Sequence, residues 1–234
     1  MVKEEFVQRN PLRILEKSIR GGLKPGNMAV IASPKGVGKT ACLVYISTVS
    51  LMQGRHVIHV SFSSRTDHII SWYEDIFREI AKKRNLEDAM ETHNEIIRNR
   101  VIMNFNQEGL VPGQVVRSLK SMIKDGNFAA DLVIVDGYNL SRGNIENFKA
   151  LKEFAAEMGV CIWFSASTKE GVPLLPGGVP EELKPFMEYV DVLITLSDKK
   201  DFIALQLVKD YENYTQENLH VRLDPRTLLI AEEE

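Results

Sequence analysis

The chain has 234 residues, enough for one large domain that buries a substantial core. Apolar residues make up 44% and charged residues 26%, a balance that excludes a disordered or fibrous chain. A formal net charge of -3 excludes a global basic field aimed at nucleic acid or an anionic membrane.

The first residues, Met1-Val2-Lys3-Glu4-Glu5, carry no apolar h-region, and no apolar run approaches the ~20 residues of a membrane span. Cys42 and Cys161 lie far apart in apolar segments without metal or redox spacing, so reduced core thiols are expected. A cytoplasmic protein is the expectation that follows.

In chain order, Asn10-Pro11 opens a helix with Leu12, Leu15 and Ile19 at helical spacing, and Gly21-Gly22 stops it. A turn at Leu23-Lys24-Pro25-Gly26 leads into a short apolar strand, Met28 to Ala32. Then comes Ser33-Pro34-Lys35-Gly36-Val37-Gly38-Lys39-Thr40, followed by an apolar helix from Ala41 to about Gln53. A second strand is predicted over His56 to Phe62, a long helix over Ser64 to Arg84 and a more polar one over Leu86 to Asn99. Val101 to Phe105 reads as a third strand, Pro112 to Lys124 as a helix, and Asp131 to Asp136 as a fourth strand. Ile145 to Met158 is a helix and Val160 to Ser165 a fifth strand. A Gly/Pro-rich loop, Gly171 to Pro180, precedes a short helix near Glu181 to Tyr189. Strands near 190–196, 202–209, 219–223 and 228–230 follow without long helices between them, so they should pair antiparallel.

Strands alternating with helices predict a three-layer αβα domain around a mainly parallel sheet. A single domain over 1–234 is expected, with 1–26 as N-terminal helix and lead-in and 190–231 as the antiparallel C-terminal strands.

The segment from Ser33 to Thr40 matches the phosphate-binding pattern G-x-x-x-x-G-K-[ST] except that Ser33 stands at the first glycine. Gly36 and Gly38 allow positive φ and close approach of backbone N–H groups to an anion, backed by the following helix N-terminus. Ser33, Pro34, Lys35, Gly36, Val37, Gly38, Lys39, Thr40 and Ala41 are thus the candidate nucleotide contacts. Lys39 supplies charge to the β- and γ-phosphates, and Thr40 a hydroxyl for Mg²⁺. Asp136, directly after Leu132-Val133-Ile134-Val135, is the candidate second anchor for the metal, at the strand edge where open α/β sheets bind ligands. Two strand–helix units fit between Lys39 and Asp136, which points to the sheet order 5-1-4-3-2. With no N-K-x-D motif for guanine, ATP and ADP with Mg²⁺ are the expected ligands.

These residues resemble the RecA-like group that includes RecA, the DnaB-type helicases and the KaiC-like ATPases. Leu15 to Thr40 (LEKSIRGGLKPGNMAVIASPKGVGKT) carries the likeness most specifically, and Val101 to Asp136 and Val160 to Ser165 match in pattern. The resemblance covers roughly Leu15 to Leu223. It implies a glutamate at the end of the second strand that polarises the attacking water; here Ser63 stands in its place. It also implies a γ-phosphate-sensing glutamine after the fifth strand, where this chain has Ala166. Of the Lys-x-Arg pair by which helicase relatives reach a neighbour's nucleotide, Lys209 remains and Tyr211 replaces the arginine. Loss of a general base commonly costs ~10²–10⁴ in rate. Glu108 and Asp67 are the nearest acids by sequence.

The loops after the fourth and fifth strands offer Arg142, Tyr138 and Lys169, thin for a nucleic-acid track. Leu174-Leu175 is a candidate protein-docking patch, and a homo-oligomer or a protein partner is expected. The resulting expectation is an ATP-binding RecA/KaiC-like switch or assembly component with slow or absent hydrolysis. The alternatives are an active motor of KaiC or helicase type, a small-molecule kinase, and a DNA-binding recombinase.

Overall fold

The computed structural model describes residues 3–62, 66–111, 113–140 and 144–233. Two short helices, α1 (Lys3–Arg9) and α2 (Leu12–Ser18), precede β1 (Met28–Pro34) and α3 (Lys39–Met52). There follow β2 (Val57–Ser61), α4 (Thr66–Arg84), α5 (Ala89–Arg98), β3 (Arg100–Asn104), α6 (Gln114–Lys124), β4 (Leu132–Asp136), α7 (Ile145–Met158) and β5 (Cys161–Thr168). A 3₁₀ turn (Glu181–Phe186) leads to β6 (Val192–Asp198), β7 (Ile203–Asp210), β8 (Asn213–Leu223) and β9 (Ile230–Glu232).

All nine strands join one sheet in the order β3-β2-β4-β5-β1-β6-β7-β8-β9. Pairing is parallel from β3 through β6 and antiparallel from β6 to β9. The α/β class, the mainly parallel sheet and its antiparallel extension are as the sequence predicts. The order 5-1-4-3-2 needs a correction, because β1 lies between β5 and β6, not beside β4. That order is recovered only when β3 is left out of the count and β6 becomes the fifth strand. The physical reason is that β3 pairs with the outer side of β2 alone, as an added edge strand.

Period-two alternation explains why both faces of the sheet are covered. In β1, Ala29 and Ile31 pack into one core while Met28, Val30 and Ala32 pack into the other. The first core holds α2, α3, α4 and α5; the second holds α6, α7 and the 3₁₀ turn. Helix α3 is buried at every residue but Thr40, since neighbouring helices flank it and the sheet lies beneath it.

Three elements depart from expectation. Helix α1 forms ahead of the predicted helix. The segment after Pro180 is a 3₁₀ turn because Pro185 lies inside it and cannot donate a helical hydrogen bond. Strand β8 starts at Asn213 rather than near Leu219; its first half is polar and exposed, so apolar periodicity could not reveal it. Cys42 is buried and Cys161 half-buried, both as free thiols, and burial pushes the Cys42 thiol up to about 12. No helix among the described residues is long and apolar enough to cross a membrane.

Candidate functional site

Strand β1 runs directly into the glycine loop, and Ser33 and Pro34 still pair with Ser167 and Thr168 of β5. The chain then turns through Gly36 at φ 84° and Gly38 at φ 109°, conformations that side chains bearing a Cβ resist. Gly38 is the residue before α3, and its carbonyl accepts from Cys42 N at 3.0 Å. A Cβ at Gly38 would also lie 2.6 Å from Leu223 Cδ2 of β8, so the loop is packed against the antiparallel extension.

Lys39 begins α3 and folds back over the loop. Its Nζ donates to Ser33 O at 2.9 Å, Ser33 Oγ at 3.2 Å and Pro34 O at 2.8 Å. Burial lowers its pKa to about 8, opposed by the Asp136 carboxylate and reinforced by Lys35. Thr40 Oγ1 donates to Asp136 Oδ2 at 2.8 Å across 96 residues of sequence. Asp136 is buried at the end of β4, where Ser61 of β2 is its register partner. Beyond it, Gly137 N donates to Ser165 Oγ at 2.9 Å, which ties the end of β4 to β5.

The structure therefore brings Ser33, Lys39, Thr40 and Asp136 together. Their chemistry fits a magnesium–polyphosphate: backbone at positive φ that admits an anion, a lysine ammonium, and a hydroxyl with a carboxylate as hard oxygen donors. Ala166 lies fully buried in β5 opposite Ala32, presenting a methyl group where a sensor would be polar. Ser63 lies outside the described residues, as does Arg142. Lys209 is brought to a different place: its Nζ donates to the carbonyls of Met187 at 2.9 Å and Val190 at 2.5 Å. Asp67 is exposed in the first turn of α4, and Glu108 lies in the loop after β3.

Beside Ser33 and Pro34 opens a cleft of about 260 Å³, bounded by Lys169, Leu174, Gln206 and Gln216. The Gly/Pro-rich loop forms its wall, with Leu175 N bonded to Val179 O at 2.8 Å and Leu174 65% exposed. Sequence reasoning missed a buried polar cluster on the α3 side of the sheet, made by Ser47, His59, Tyr73 and Arg100. Its one signal in the sequence is a histidine at the centre of the apolar strand His56-Val57-Ile58-His59-Val60.

This sheet order, with a P-loop between β1 and α3 and a carboxylate ending β4, defines a RecA-like P-loop fold. Among solved structures, the ATPase domain of a DnaB-like helicase superposes with a TM-score of 0.70 at 16% identity, over 94% of this chain and 89% of that one. At that identity the likeness speaks for the fold. No protein-family model matches the sequence, and no curated protein matches it.

Proposed function

We propose that this protein is a single-domain, RecA/KaiC-like P-loop protein of the cytoplasm that binds Mg²⁺·ATP and Mg²⁺·ADP, hydrolyses slowly or not at all, and acts as a nucleotide-dependent switch or assembly component. The observation that carries the reading is the Thr40–Asp136 hydrogen bond of 2.8 Å beside the folded-back Lys39. It supports a site in which Ser33 to Ala41 hold the phosphates and Thr40 with Asp136 hold the metal. Bound Mg²⁺ would neutralise phosphate charge; the chain's own part is to position the phosphates and keep Lys39 charged against burial.

Slow turnover is supported by what stands at two positions, Ser63 for the expected base and Ala166 for the expected sensor. A hydroxyl and a methyl group cannot deprotonate water or report on a γ-phosphate at neutral pH. Lys209 as a finger to a neighbouring subunit requires release of its two carbonyl partners. A working motor of KaiC or helicase type needs its base from another subunit or partner. The cleft beside Pro34 is the observation favouring a second reading, a small-molecule kinase with that cleft as acceptor site.

The test is titration calorimetry with ATP and ADP, in Mg²⁺ and in EDTA, alongside hydrolysis and light scattering. Binding that disappears in Lys39→Ala, with little turnover and a nucleotide-dependent change in size, is the expected result. Turnover of several per second that is lost in Lys39→Ala would replace the switch reading with the motor.

A further inference from the structure

Beneath the phosphate site lies a buried polar chain with one open end. Ser47 of α3 and Tyr73 of α4 share a hydroxyl–hydroxyl bond of 2.6 Å, and Tyr73 Oη lies 3.0 Å from His59 Nδ1. The Arg100 guanidinium sits 4.2 Å over the Tyr73 ring and closes the other side. Ser47 and His59 have no exposed surface and Tyr73 almost none. His59 Nε2, by contrast, is buried without any hydrogen-bond partner. An unsatisfied buried ring nitrogen costs roughly 1–3 kcal/mol, so its presence calls for a reason.

Position supplies one. His59 and Ser61 are two apart in β2 and share a face, and Ser61 is the register partner of Asp136 in the adjacent β4. The Asp136 carboxylate acts electrostatically on both His59 and Tyr73. The carboxylate can only accept, so a link to it requires hydrogen on Nε2. Nδ1 must then accept from Tyr73, and Tyr73 must accept from Ser47. Every donor along the chain points the same way, from α3 through α4 to β4.

We propose that His59 is a positioning residue for Asp136: its Nε2–H donates to the carboxylate through one bound water, holding that carboxylate in place for the metal. The inference rests on the reading of Asp136 as a metal anchor. It adds a role for His59 and ties the metal site to α4, the helix that follows β2. Partners of this kind, one bond removed from a metal ligand, typically change metal affinity 10–100-fold when lost.

The first readout needs no nucleotide. Nitrogen-15 NMR of histidine-labelled protein, with His59 assigned by its absence in His59→Gln, should show a neutral ring protonated at Nε2. That signal should shift in Asp136→Asn. A ring protonated at Nδ1, or one indifferent to Asp136→Asn, overturns the proposal. The second readout is ADP affinity in Mg²⁺ and in EDTA. His59→Phe should reduce the Mg²⁺-dependent gain about tenfold and leave the EDTA value unchanged. His59→Gln, which returns an N–H donor near Nε2, should recover most of that gain. An equal loss in Mg²⁺ and EDTA would mean that His59 only supports the fold. If the parent protein shows no Mg²⁺-dependent gain, the metal reading of Asp136 fails, and the tautomer measurement still decides the His59–Asp136 link.

Discussion

Ser33 and Lys39 hold each other: the lysine ammonium donates to both the carbonyl and the hydroxyl of the residue that opens the P-loop. A nucleotide phosphate must compete with these bonds for the same charge. Ser33 does not have the positive φ that would call for glycine, so its hydroxyl is what distinguishes it from the usual residue. Removing one such hydrogen bond is worth about 1 kcal/mol, or about fivefold in affinity. Ser33→Ala and Ser33→Gly should therefore both tighten ADP binding by about that factor in calorimetry. Tightening in the glycine variant alone would assign the effect to backbone freedom instead.

The two loop glycines should not be equivalent. At Gly36, φ is 84° and a Cβ would meet nothing within 4 Å, so Gly36→Ala carries only the left-handed strain of roughly 1–2 kcal/mol. Gly38 has φ 109° and faces Leu223 Cδ2 at 2.6 Å and Ile203 Cδ1 at 3.2 Å. Overpacking adds roughly 1–3 kcal/mol there. Urea unfolding without nucleotide should show Gly38→Ala clearly less stable than Gly36→Ala. Adding Leu223→Ala to Gly38→Ala should relieve the steric part of the loss, a coupling that independent sites would not show.

Much of this architecture is legible in the sequence because it rests on local rules. The run Ser33 to Thr40 and the aliphatic run before Asp136 announce both halves of the site, and the structure closes them to 2.8 Å. The place of β3 is not legible, since two parallel strands with similar apolar runs give no local sign of which takes the edge. Nor is the first half of β8, whose polar residues are held by backbone pairing with β7. The cluster around His59 is hidden for another reason. Ser47, His59, Tyr73 and Arg100 come from four different elements, and only packing brings them together.

Lys209 offers a direct contrast between a structural and a trans-acting lysine. Its ammonium caps the carbonyls of Met187 and Val190 at the junction between the 3₁₀ turn and β6, and only 9% of the residue is exposed. Burial lowers its pKa, partly offset by Asp191 and Glu212. Hydrogen bonds from a charged donor are worth roughly 1.5–3 kcal/mol. Lys209→Met keeps the aliphatic stem and should destabilise the nucleotide-free monomer by about 2 kcal/mol, read as a lowered urea midpoint. An unchanged midpoint with a defect confined to assembly-stimulated turnover would favour the role of a finger reaching a neighbour.

The acid sensitivity of the fold should trace in part to His59. Burial is the largest influence on the ring and lowers its pKa from 6.5 to about 4; Asp136 pulls it up and Arg100 pushes it down. In the unfolded chain the same ring takes a proton near 6.5, so between about pH 4 and 6.5 the unfolded state binds more protons than the folded one. Stability must then rise with pH through that window, being complete above 6.5 and lost as pH falls toward 4. Linkage puts the loss between pH 7 and pH 5 at about 2 kcal/mol from this group alone. Paired carboxylates add their own acid sensitivity, so the comparison to make is parent against His59→Gln. The glutamine cannot titrate, and its urea-derived stability should fall less between pH 7 and 5 by about that amount. Parallel stability curves for the two proteins would show that the His59 ring keeps an ordinary pKa inside the fold, and with it enough solvent to satisfy Nε2 without Asp136.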